Sequence, residues 1–201
     1  MDEQLLYIEN ELYDKYNFNY ICGVDEAGRG PLAGPVCAAA VILPRNCIID
    51  GLNDSKKLTS KKRDYLYDVI KEKSLSFSIA YASVEEIEQF NILEATFLAM
   101  NRAINGLDIK PDFALIDGNQ SKGITIDNMT VVKGDSKCSN IAAASILAKV
   151  SRDRYMLEIS KEYPQYYFEK HKGYGTKLHY ECINKHGITA IHRKSFLKNM
   201  H

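Results

Sequence analysis

The sequence predicts an α/β protein in which helices pack on a central mixed β-sheet. Short apolar segments typical of strands alternate along the chain with segments whose apolar residues recur at helical spacing. Capping and turn-forming residues separate the two kinds of segment. The 201 residues contain no internal repeat, low-complexity tract or long linker. We therefore expect one α/β domain spanning residues 1–201.

The strand predictions rest on apolar runs that are bounded by turn residues. The first two runs lie on either side of a turn rich in glycine and proline, and the third alternates large apolar residues with serine and alanine. The last two are short runs that each lead to an aspartate. The predicted strands span residues 20–24, 36–43, 75–82, 113–116 and 129–132.

Helical spacing marks the segments between and after the strands. Thr59 precedes one such segment, and Ser83 to Glu86 has the sequence of a capping box. The longest pattern runs from Ser139 to about residue 163, so the carboxyl-terminal third is predicted to be mainly helical. Further patterns cover residues 93–104, 176–185 and 2–16. The last of these is a helix without a predicted role, whose apolar face carries Leu5, Leu6, Ile8 and Leu12.

Composition argues against a membrane protein and against a disulfide scaffold. No window approaches the roughly 18 uninterrupted apolar residues of a membrane span, and the first residues lack the pattern of a signal peptide. The five cysteines are scattered without a Cys-x-x-Cys pair, which indicates reduced, mostly buried side chains. We expect a cytoplasmic protein without a membrane partner, and a monomer by default.

Charge is distributed unevenly although the formal net charge is zero. Residues 133–201 carry 13 of the 26 basic residues but only 6 of the 26 acidic ones, together with all five histidines. A cationic carboxyl-terminal third would suit a surface that follows the phosphates of a nucleic acid. A solvated charged face explains the same asymmetry, and charge alone does not decide between the two.

The segment from Gly23 to Val36 is the most informative stretch of the chain. Asp25 and Glu26 end the first predicted strand, and a run rich in glycine and proline follows them. Carboxylates at a strand end can hold a hard metal ion, and glycine lets the backbone approach a ligand that a Cβ would block. The combination indicates a metal ion beside a sugar-phosphate.

Two more aspartates, Asp117 and Asp135, stand where apolar runs end. Ligand sites in α/β sheets gather at strand ends, so three strand ends could bring these acids to one cation site. A single aspartate after a strand is also typical of a turn or a helix cap, and that alternative stays open for each one. Oxygen ligands favour Mg²⁺ or Mn²⁺ over zinc. Two such ions roughly 4 Å apart can hydrolyse a phosphodiester without a protein nucleophile.

Asp25 and Glu26 are neighbours in a predicted strand, where consecutive side chains point to opposite faces. They can share a site only if the chain bends between strand and turn. We expect Gly28 and Gly30 to permit that bend.

Six motifs in one order closely resemble bacterial ribonuclease HII over about residues 20–196. Any one of them is only suggestive, whereas the ordered set is specific. They are the run from Gly23 to Val36, Asn53-Asp54-Ser55-Lys56-Lys57-Leu58, Ile116-Asp117-Gly118-Asn119, Val132-Lys133-Gly134-Asp135, Ala142-Ala143-Ala144-Ser145-Ile146-Leu147-Ala148-Lys149-Val150 and His171-Lys172-Gly173-Tyr174-Gly175-Thr176.

The resemblance implies a ribonuclease H-like fold with a helical extension over about residues 1–19. It implies a helical part at about 165–201 that contributes to substrate binding. The implied activity is hydrolysis of the RNA strand of RNA–DNA hybrids and incision 5′ of single ribonucleotides in duplex DNA, leaving 3′-hydroxyl and 5′-phosphate ends. The implied setting is DNA replication and ribonucleotide excision repair. Ribonuclease HIII is similar but carries an extra amino-terminal hybrid-binding domain and a Gly-Thr-Gly-like segment, so it fits less well.

By the resemblance, Asp25, Glu26, Asp117 and Asp135 are the catalytic acids and the ligands of two Mn²⁺ or Mg²⁺ ions. Asp25 is implied to bridge the two ions. These are the same four acids that the strand-end pattern indicates.

The resemblance also implies a set of substrate contacts. The backbone of Gly28, Arg29 and Gly30 would read the ribose 2′-OH, and Tyr174 would pack on the following sugar and contact the same hydroxyl. Ser55 and Lys56 would contact a phosphate. Without the resemblance, Tyr174 is equally a packing residue and residues 54–57 a solvated turn.

Lys149 and Arg152 lie one helical turn apart and could contact phosphates, although a solvent-facing helix explains them as well. Two other function classes remain open beside the hybrid endonuclease. A DNA exonuclease or general nuclease could use the same two-metal chemistry, and a hybrid-binding module could use the acids as caps and turns. The Gly28–Gly30 segment with Tyr174 argues against the first, and four intact acids argue against the second.

Overall fold

The computed structural model describes residues 5–53, 55 and 58–198, and its five strands form one mixed sheet in the order β3-β2-β1-β4-β5. Strands β1 (Ile21–Ala27), β2 (Val36–Ile42) and β3 (Ser76–Ala82) are antiparallel neighbours. Strands β4 (Phe113–Asp117) and β5 (Asn128–Val131) continue the sheet parallel to β1. The predicted mixed α/β sheet is confirmed, and each predicted strand is present with small differences at its ends.

Helices cover both faces of the sheet and its carboxyl-terminal side. The caps predicted at Thr59 and Ser83 are present, and the Thr59 hydroxyl accepts a hydrogen bond from the Lys62 amide. The last long helix ends at Gly187, as predicted. The helices are α1 (Tyr7–Tyr16), α2 (Ser60–Lys73), α3 (Val84–Asn105), α4 (Ser139–Glu162), α5 (Phe168–His171) and α6 (Lys177–His186).

Helix α3 joins the two helical patterns that the sequence shows on either side of residue 91. Asn91 has φ 71° and ψ 167°, which interrupts the helix. Its side-chain oxygen accepts from the amides of Leu93 and Glu94 at 2.9 and 3.2 Å, so it caps the second half.

Strand β2 lies at the middle of the core because both of its faces are buried. Cys37, Ala39 and Val41 pack in the cluster formed with α2 and α4, while the alternate residues pack against α3. This explains why the strand is a continuous apolar run rather than an alternating one. Four of the five cysteines are buried, and all five are free thiols, as expected.

Helix α4 packs directly against β1 at Gly23. A Cβ on Gly23 would lie 2.2 Å from the backbone carbon of Asn140, so a larger residue there would push the helix away. The close approach sets the amino-terminal half of α4 beside the end of β1, where Asp25 and Glu26 lie.

Helix α1 fastens the amino-terminal segment to the start of α4. Residues 2–4 of the predicted helix lie outside the described residues, whereas Ile8 and Leu12 of its apolar face pack in a cluster with residues of the sheet. Cys138 occupies the N-cap of α4 without a capping side-chain bond. Glu9 supplies the missing acceptors, because its carboxyl oxygens accept from the Ser139 hydroxyl at 2.6 Å and the Asn140 amide at 2.8 Å. The sequence pattern missed this role, since Glu9 sits on an otherwise apolar face.

Replacing Glu9 by glutamine is expected to change how stability depends on pH. Burial raises the pKa of Glu9 from 4.5 to about 7, against the lowering effect of its hydrogen bonds. The folded protein therefore binds the Glu9 proton more tightly than the unfolded chain, and its stability falls as pH rises from 4.5 towards 7. The shift corresponds to about 3 kcal/mol. Denaturant unfolding from pH 5 to 8 should show a flatter profile for Glu9→Gln, whereas the exposed control Glu11→Gln should match the wild type. Parallel profiles for the wild type and Glu9→Gln would contradict this account.

The carboxyl-terminal part packs on the second half of α4. Met156 and Ile159 of α4 meet Tyr166, Phe168 and Ile183 in a separate apolar cluster that also contains Leu32 and Ala33 of the glycine-rich segment. The segment after β1 is thus held between the sheet and the carboxyl-terminal helices. None of the helices among the described residues is long and apolar enough to span a membrane.

Candidate active site

Three of the predicted acids lie together where two parallel strands end. Strands β1 and β4 are hydrogen-bonded neighbours, with Val24 opposite Ile116. Asp25 and Glu26 follow on β1, and Asp117 follows on β4, at the same edge of the sheet. The prediction that strand ends bring these acids together is therefore supported for three of the four residues.

The chain turns at Gly28, which has φ +95°, so the turn comes after both Asp25 and Glu26. Both residues lie within β1, paired with Ala39 and Ala38 of β2. Their side chains point to opposite faces, because Ala39 and Ala38 belong to the clusters on opposite sides of the sheet. Both carboxylates lie near the end of the strand, where the charges of Glu26 and of Asp117 on the adjacent strand act on Asp25.

The acids are electrostatically costly in the absence of a cation. Burial, followed by the charges of Glu26 and Asp117, raises the pKa of Asp25 well above its ordinary value, although a Ser145 hydrogen bond opposes the shift. Burial also raises the pKa of Glu26, against the Arg29 cation that lies 3.5 Å from its carboxylate. Buried carboxylates that repel one another are typical of a site that a cation or a shared proton completes.

Asp135 joins the site through its neighbour. The Gly134 amide donates a 2.7 Å hydrogen bond to the Asp117 carboxylate, which fixes the short turn Gly134–Ser136 against the end of β4. Asp135 is 5% exposed on this turn, immediately before α4. The residue before Asp135 therefore contacts Asp117 through its backbone.

The donor set fits a hard divalent cation, although the carboxylates do not form a closed ligand cage. All four are oxygen donors, and those of Asp25 and Glu26 have raised pKa values that a cation would reverse. Among the described residues, no group of three acid, histidine or cysteine side chains is arranged closely enough to hold an ion.

Two buried arginines shape the glycine-rich segment next to the acids. The Arg193 guanidinium donates to the carbonyl oxygens of Gly28, Arg29 and Gly34 at 2.6 to 2.9 Å. Arg152 donates to the carbonyls of Pro35 and Ala33 at 3.0 Å. Burial lowers the pKa of Arg193 to about 9, so it remains a cation at neutral pH. The carbonyls of the segment therefore point inward.

Inward carbonyls determine where the amides point. The peptide bonds here are trans, so the N–H of Arg29 is opposite the Gly28 carbonyl, and the N–H of Gly30 is opposite the Arg29 carbonyl. Both N–H groups face away from Arg193, on residues that are exposed. Gly28 itself has φ +95°, and a Cβ there would lie 1.9 Å from Arg152 Nε. The segment thus presents two backbone donors beside the acids.

Arg152 is a structural residue, which corrects the reading of it as a phosphate contact. It is 1% exposed, and its third bond goes to the Lys172 carbonyl at 3.1 Å. The Tyr174 ring lies 5.8 Å from its guanidinium carbon and 5.7 Å from Lys149 Nζ. Arg152 therefore contacts both Gly28 and Tyr174, which brings the two predicted sugar contacts into one region. Tyr174 keeps 41% of its surface exposed and is not a core residue.

Ser55 lies inside the protein and joins the acids indirectly. It is 4% exposed, and its hydroxyl lies 2.9 Å from the Ser145 hydroxyl, which hydrogen-bonds Asp25. Its predicted phosphate contact stays a prediction. Lys56 lies outside the described residues.

Three of the five histidines do not contribute to the cationic surface that the charge pattern suggested. His171, His179 and His192 are 7, 0 and 1% exposed. Burial lowers the pKa of His179 and His192 to about 4, so both are neutral at pH 7. The sequence misled because histidines in a basic region look like surface residues, whereas these three pack against Tyr166 and Phe168.

Comparison with known proteins identifies the fold and the family. The model of the Ribonuclease HII family matches residues 22–199. A ribonuclease HII of Clostridioides difficile (strain 630) is 56% identical over 198 residues, which are 98% of this chain and 77% of that protein. The ribonuclease H2 of Pyrococcus horikoshii OT3 superimposes with a TM-score of 0.72 at 26% identity, covering 90% of this chain and all of that one.

A more distant structure, Bst-RNase HIII in complex with Mn²⁺, has a TM-score of 0.66 at 18% identity and covers 88% of this chain and 64% of its own. That likeness shows the fold alone. The family match extends over the acids, the glycine-rich segment and Tyr174. The α/β sheet is a ribonuclease H-like fold, and the chain belongs to the ribonuclease HII family, as an endoribonuclease that acts on RNA–DNA hybrids.

Proposed function

We propose that this enzyme incises 5′ of a ribonucleotide, including a single ribonucleotide in duplex DNA, and leaves 3′-hydroxyl and 5′-phosphate ends. The observation that carries the proposal is the position of the acids around Asp25 beside the outward N–H groups of Arg29 and Gly30. The acids suit a phosphodiester with its metal ions, and the N–H groups suit a sugar hydroxyl.

Asp25, Glu26, Asp117 and Asp135 would hold two Mg²⁺ or Mn²⁺ ions. When bound, the ions activate a water molecule and stabilise the leaving oxygen. Asp25 is the most suitable bridge, because it is buried and the charges of Glu26 and Asp117 both act on it. The Mn²⁺ of the ribonuclease HIII structure is consistent with this choice of ion.

Recognition of the ribose would come from backbone donors and one aromatic ring. A 2′-OH accepts hydrogen bonds from the N–H groups of Arg29 and Gly30, and a deoxyribose offers them no acceptor at that position. Tyr174 would pack on the next sugar, which favours a deoxynucleotide after the ribonucleotide. A general nuclease would not require backbone donors that bind a 2′-OH.

The first test is cleavage of end-labelled duplex DNA that contains one ribonucleotide. We expect a nick 5′ of the ribonucleotide with Mg²⁺ or Mn²⁺, and none with EDTA or on the all-DNA duplex. Equal cutting of the all-DNA duplex would favour a general nuclease of the same fold. Cleavage of a long hybrid without any nick at the single ribonucleotide would restrict the function to hybrids.

Replacing Tyr174 by alanine is expected to lower turnover on the single-ribonucleotide substrate by about tenfold or more, because a sugar-packing aromatic contact is lost. The long hybrid should be less affected, since many registers of it can be cut. The matched control is Tyr7→Ala on α1, which removes another exposed tyrosine. Equal turnover of the Tyr174→Ala and Tyr7→Ala variants on the single ribonucleotide would show that Tyr174 does not contact the substrate.

A further inference from the structure

Three buried histidines lie directly beneath the loop that presents Tyr174, and the established activity gives them no role. His179 and His192 face each other with their Nε2 atoms 3.1 Å apart. His171 stacks on His179 with the ring centroids 4.5 Å apart. Their hydrogen bonds determine which nitrogen of each ring carries the proton, since a carbonyl oxygen only accepts.

His179 must be protonated on Nδ1. That nitrogen lies 3.0 Å from the Tyr174 carbonyl oxygen, so it is the donor. In a neutral ring Nε2 is then the acceptor, and the proton between the two rings belongs to His192 Nε2.

His192 completes the chain with the opposite tautomer. Because its Nε2 donates to His179, its Nδ1 accepts, and it lies 3.0 Å from the Thr189 amide and 2.9 Å from the Thr189 hydroxyl. Both groups of Thr189 can donate. The hydrogen bonds thus run in one direction from Thr189 through His192 and His179 to the carbonyl of Tyr174, and every donor meets an acceptor.

His171 secures the other end of the same loop. Its Nε2 donates to the Tyr166 carbonyl at 2.9 Å, and its Nδ1 accepts from the Gly173 amide at 3.2 Å. The Tyr174 amide in turn donates to the His171 carbonyl at 2.9 Å. The backbone of Tyr174 is therefore held on both sides, while its ring is exposed.

We propose that His179 and His192 are positioning residues that hold Tyr174 in place for the ribose, through this directed chain of hydrogen bonds. The inference rests on the proposed function of Tyr174, because these hydrogen bonds matter to catalysis only if the Tyr174 ring contacts the substrate.

The same short segment also holds the other sugar contact. His192 acts on Tyr174, and the next residue, Arg193, holds the carbonyls of Gly28 and Arg29. The Arg193 amide donates to the Leu32 carbonyl, and the Leu32 amide donates to the Gly173 carbonyl, both at 2.8 Å. The carboxyl-terminal segment therefore sets the spacing between the backbone donors and the aromatic ring.

Paired substitutions separate positioning from packing. In His179→Asn the amide nitrogen can replace Nδ1 and donate to Tyr174, whereas His179→Gln places its amide near Nε2. At position 192 the order reverses, because Gln supplies the Nε2 donor and Asn does not. We expect Asn at 179 and Gln at 192 to keep turnover on the single ribonucleotide within about threefold. Their counterparts should lose tenfold or more. The reverse order, or equal losses, would overturn the proposal.

A double-mutant cycle tests whether the histidine acts through Tyr174. His179→Gln combined with Tyr174→Ala should lose no more turnover than Tyr174→Ala alone. If the two losses of turnover multiply in the double variant, His179 acts independently of the Tyr174 ring. If Tyr174→Ala alone has no effect, the proposed function of Tyr174 fails, and with it the positioning role of His179 and His192.

The tautomers can be measured on the wild-type protein, without an activity assay and without a variant that could fail to fold. Side-chain ¹⁵N NMR of the full-length wild-type protein at pH 7 should show His179 protonated on Nδ1, and His171 and His192 on Nε2. The exposed His186, which lies outside this series of hydrogen bonds, serves as the internal control. A His179 ring protonated on Nε2 would contradict the proposed series of hydrogen bonds, whatever the turnover of the variants.

Discussion

Replacing Asp117 by asparagine is expected to abolish turnover while preserving the fold and the binding of an RNA–DNA hybrid. The substitution keeps the shape of the side chain, and its amide oxygen can still accept from the Gly134 amide that now bonds Asp117. What it removes is the negative charge needed to hold a cation. Loss of several kcal/mol of metal-based stabilisation corresponds to a decrease in turnover of roughly 10³-fold or more.

The same variant should be more stable than the wild type when EDTA is present. Asp117 raises the pKa of both Asp25 and Glu26, so removing its charge relieves the repulsion. The pairing of lost turnover with raised stability distinguishes a catalytic acid from a structural one. Turnover with Mn²⁺, hybrid affinity and thermal unfolding with EDTA would be measured together. Asp127→Asn, at an exposed position after β4, is the control. Unchanged turnover of Asp117→Asn would count decisively against the assignment.

Replacing Arg193 by lysine is expected to impair both stability and ribose recognition. A lysine ammonium cannot reproduce the fork that bonds three carbonyls, so at least one buried carbonyl oxygen loses its donor. An unsatisfied buried group costs about 1–3 kcal/mol. Because the carbonyls of Gly28 and Arg29 would no longer be held inward, the N–H groups of Arg29 and Gly30 would lose their fixed direction.

The expected signature is a decrease of about tenfold or more in kcat/KM on a single ribonucleotide, by analogy with the loss of one positioned backbone donor. Affinity for all-DNA duplex should stay unchanged, since that duplex offers no 2′-OH. Lys194→Ala, at the adjacent exposed position, is the control. Equal losses of kcat/KM and duplex affinity would mean that Arg193 supports general binding rather than ribose recognition.

The candidate acids could be picked out from the sequence because their signal is local. Each aspartate follows an apolar run, and parallel strands bring their carboxyl ends to the same edge. The resemblance added Asp25 as a bridge and the role of the Gly28–Gly30 segment. The strand continues to Ala27, so the turn that Gly28 makes follows both acids and does not bring their side chains to one face.

The buried polar residues were not accessible in this way. Arg152 lies in a helix with charged neighbours, which is typical of a solvated face, and only tertiary packing showed that it is buried under the glycine-rich segment. Glu9 caps a helix that begins 130 residues later. In each case the partner is a backbone group from a distant part of the chain, so spacing in the sequence carries no trace of it.

The sequence by itself determined the alternation of strands and helices, the caps at Thr59 and Ser83, and the acids at the strand ends. These follow from periodicity and from the chemistry of adjacent residues. The tertiary structure alone decided the inward carbonyls under Arg193 and the hydrogen-bond partners of His179 and His192. A buried hydrogen bond between distant residues forms only where packing has excluded water and brought donor to acceptor, and that geometry belongs to the folded chain as a whole.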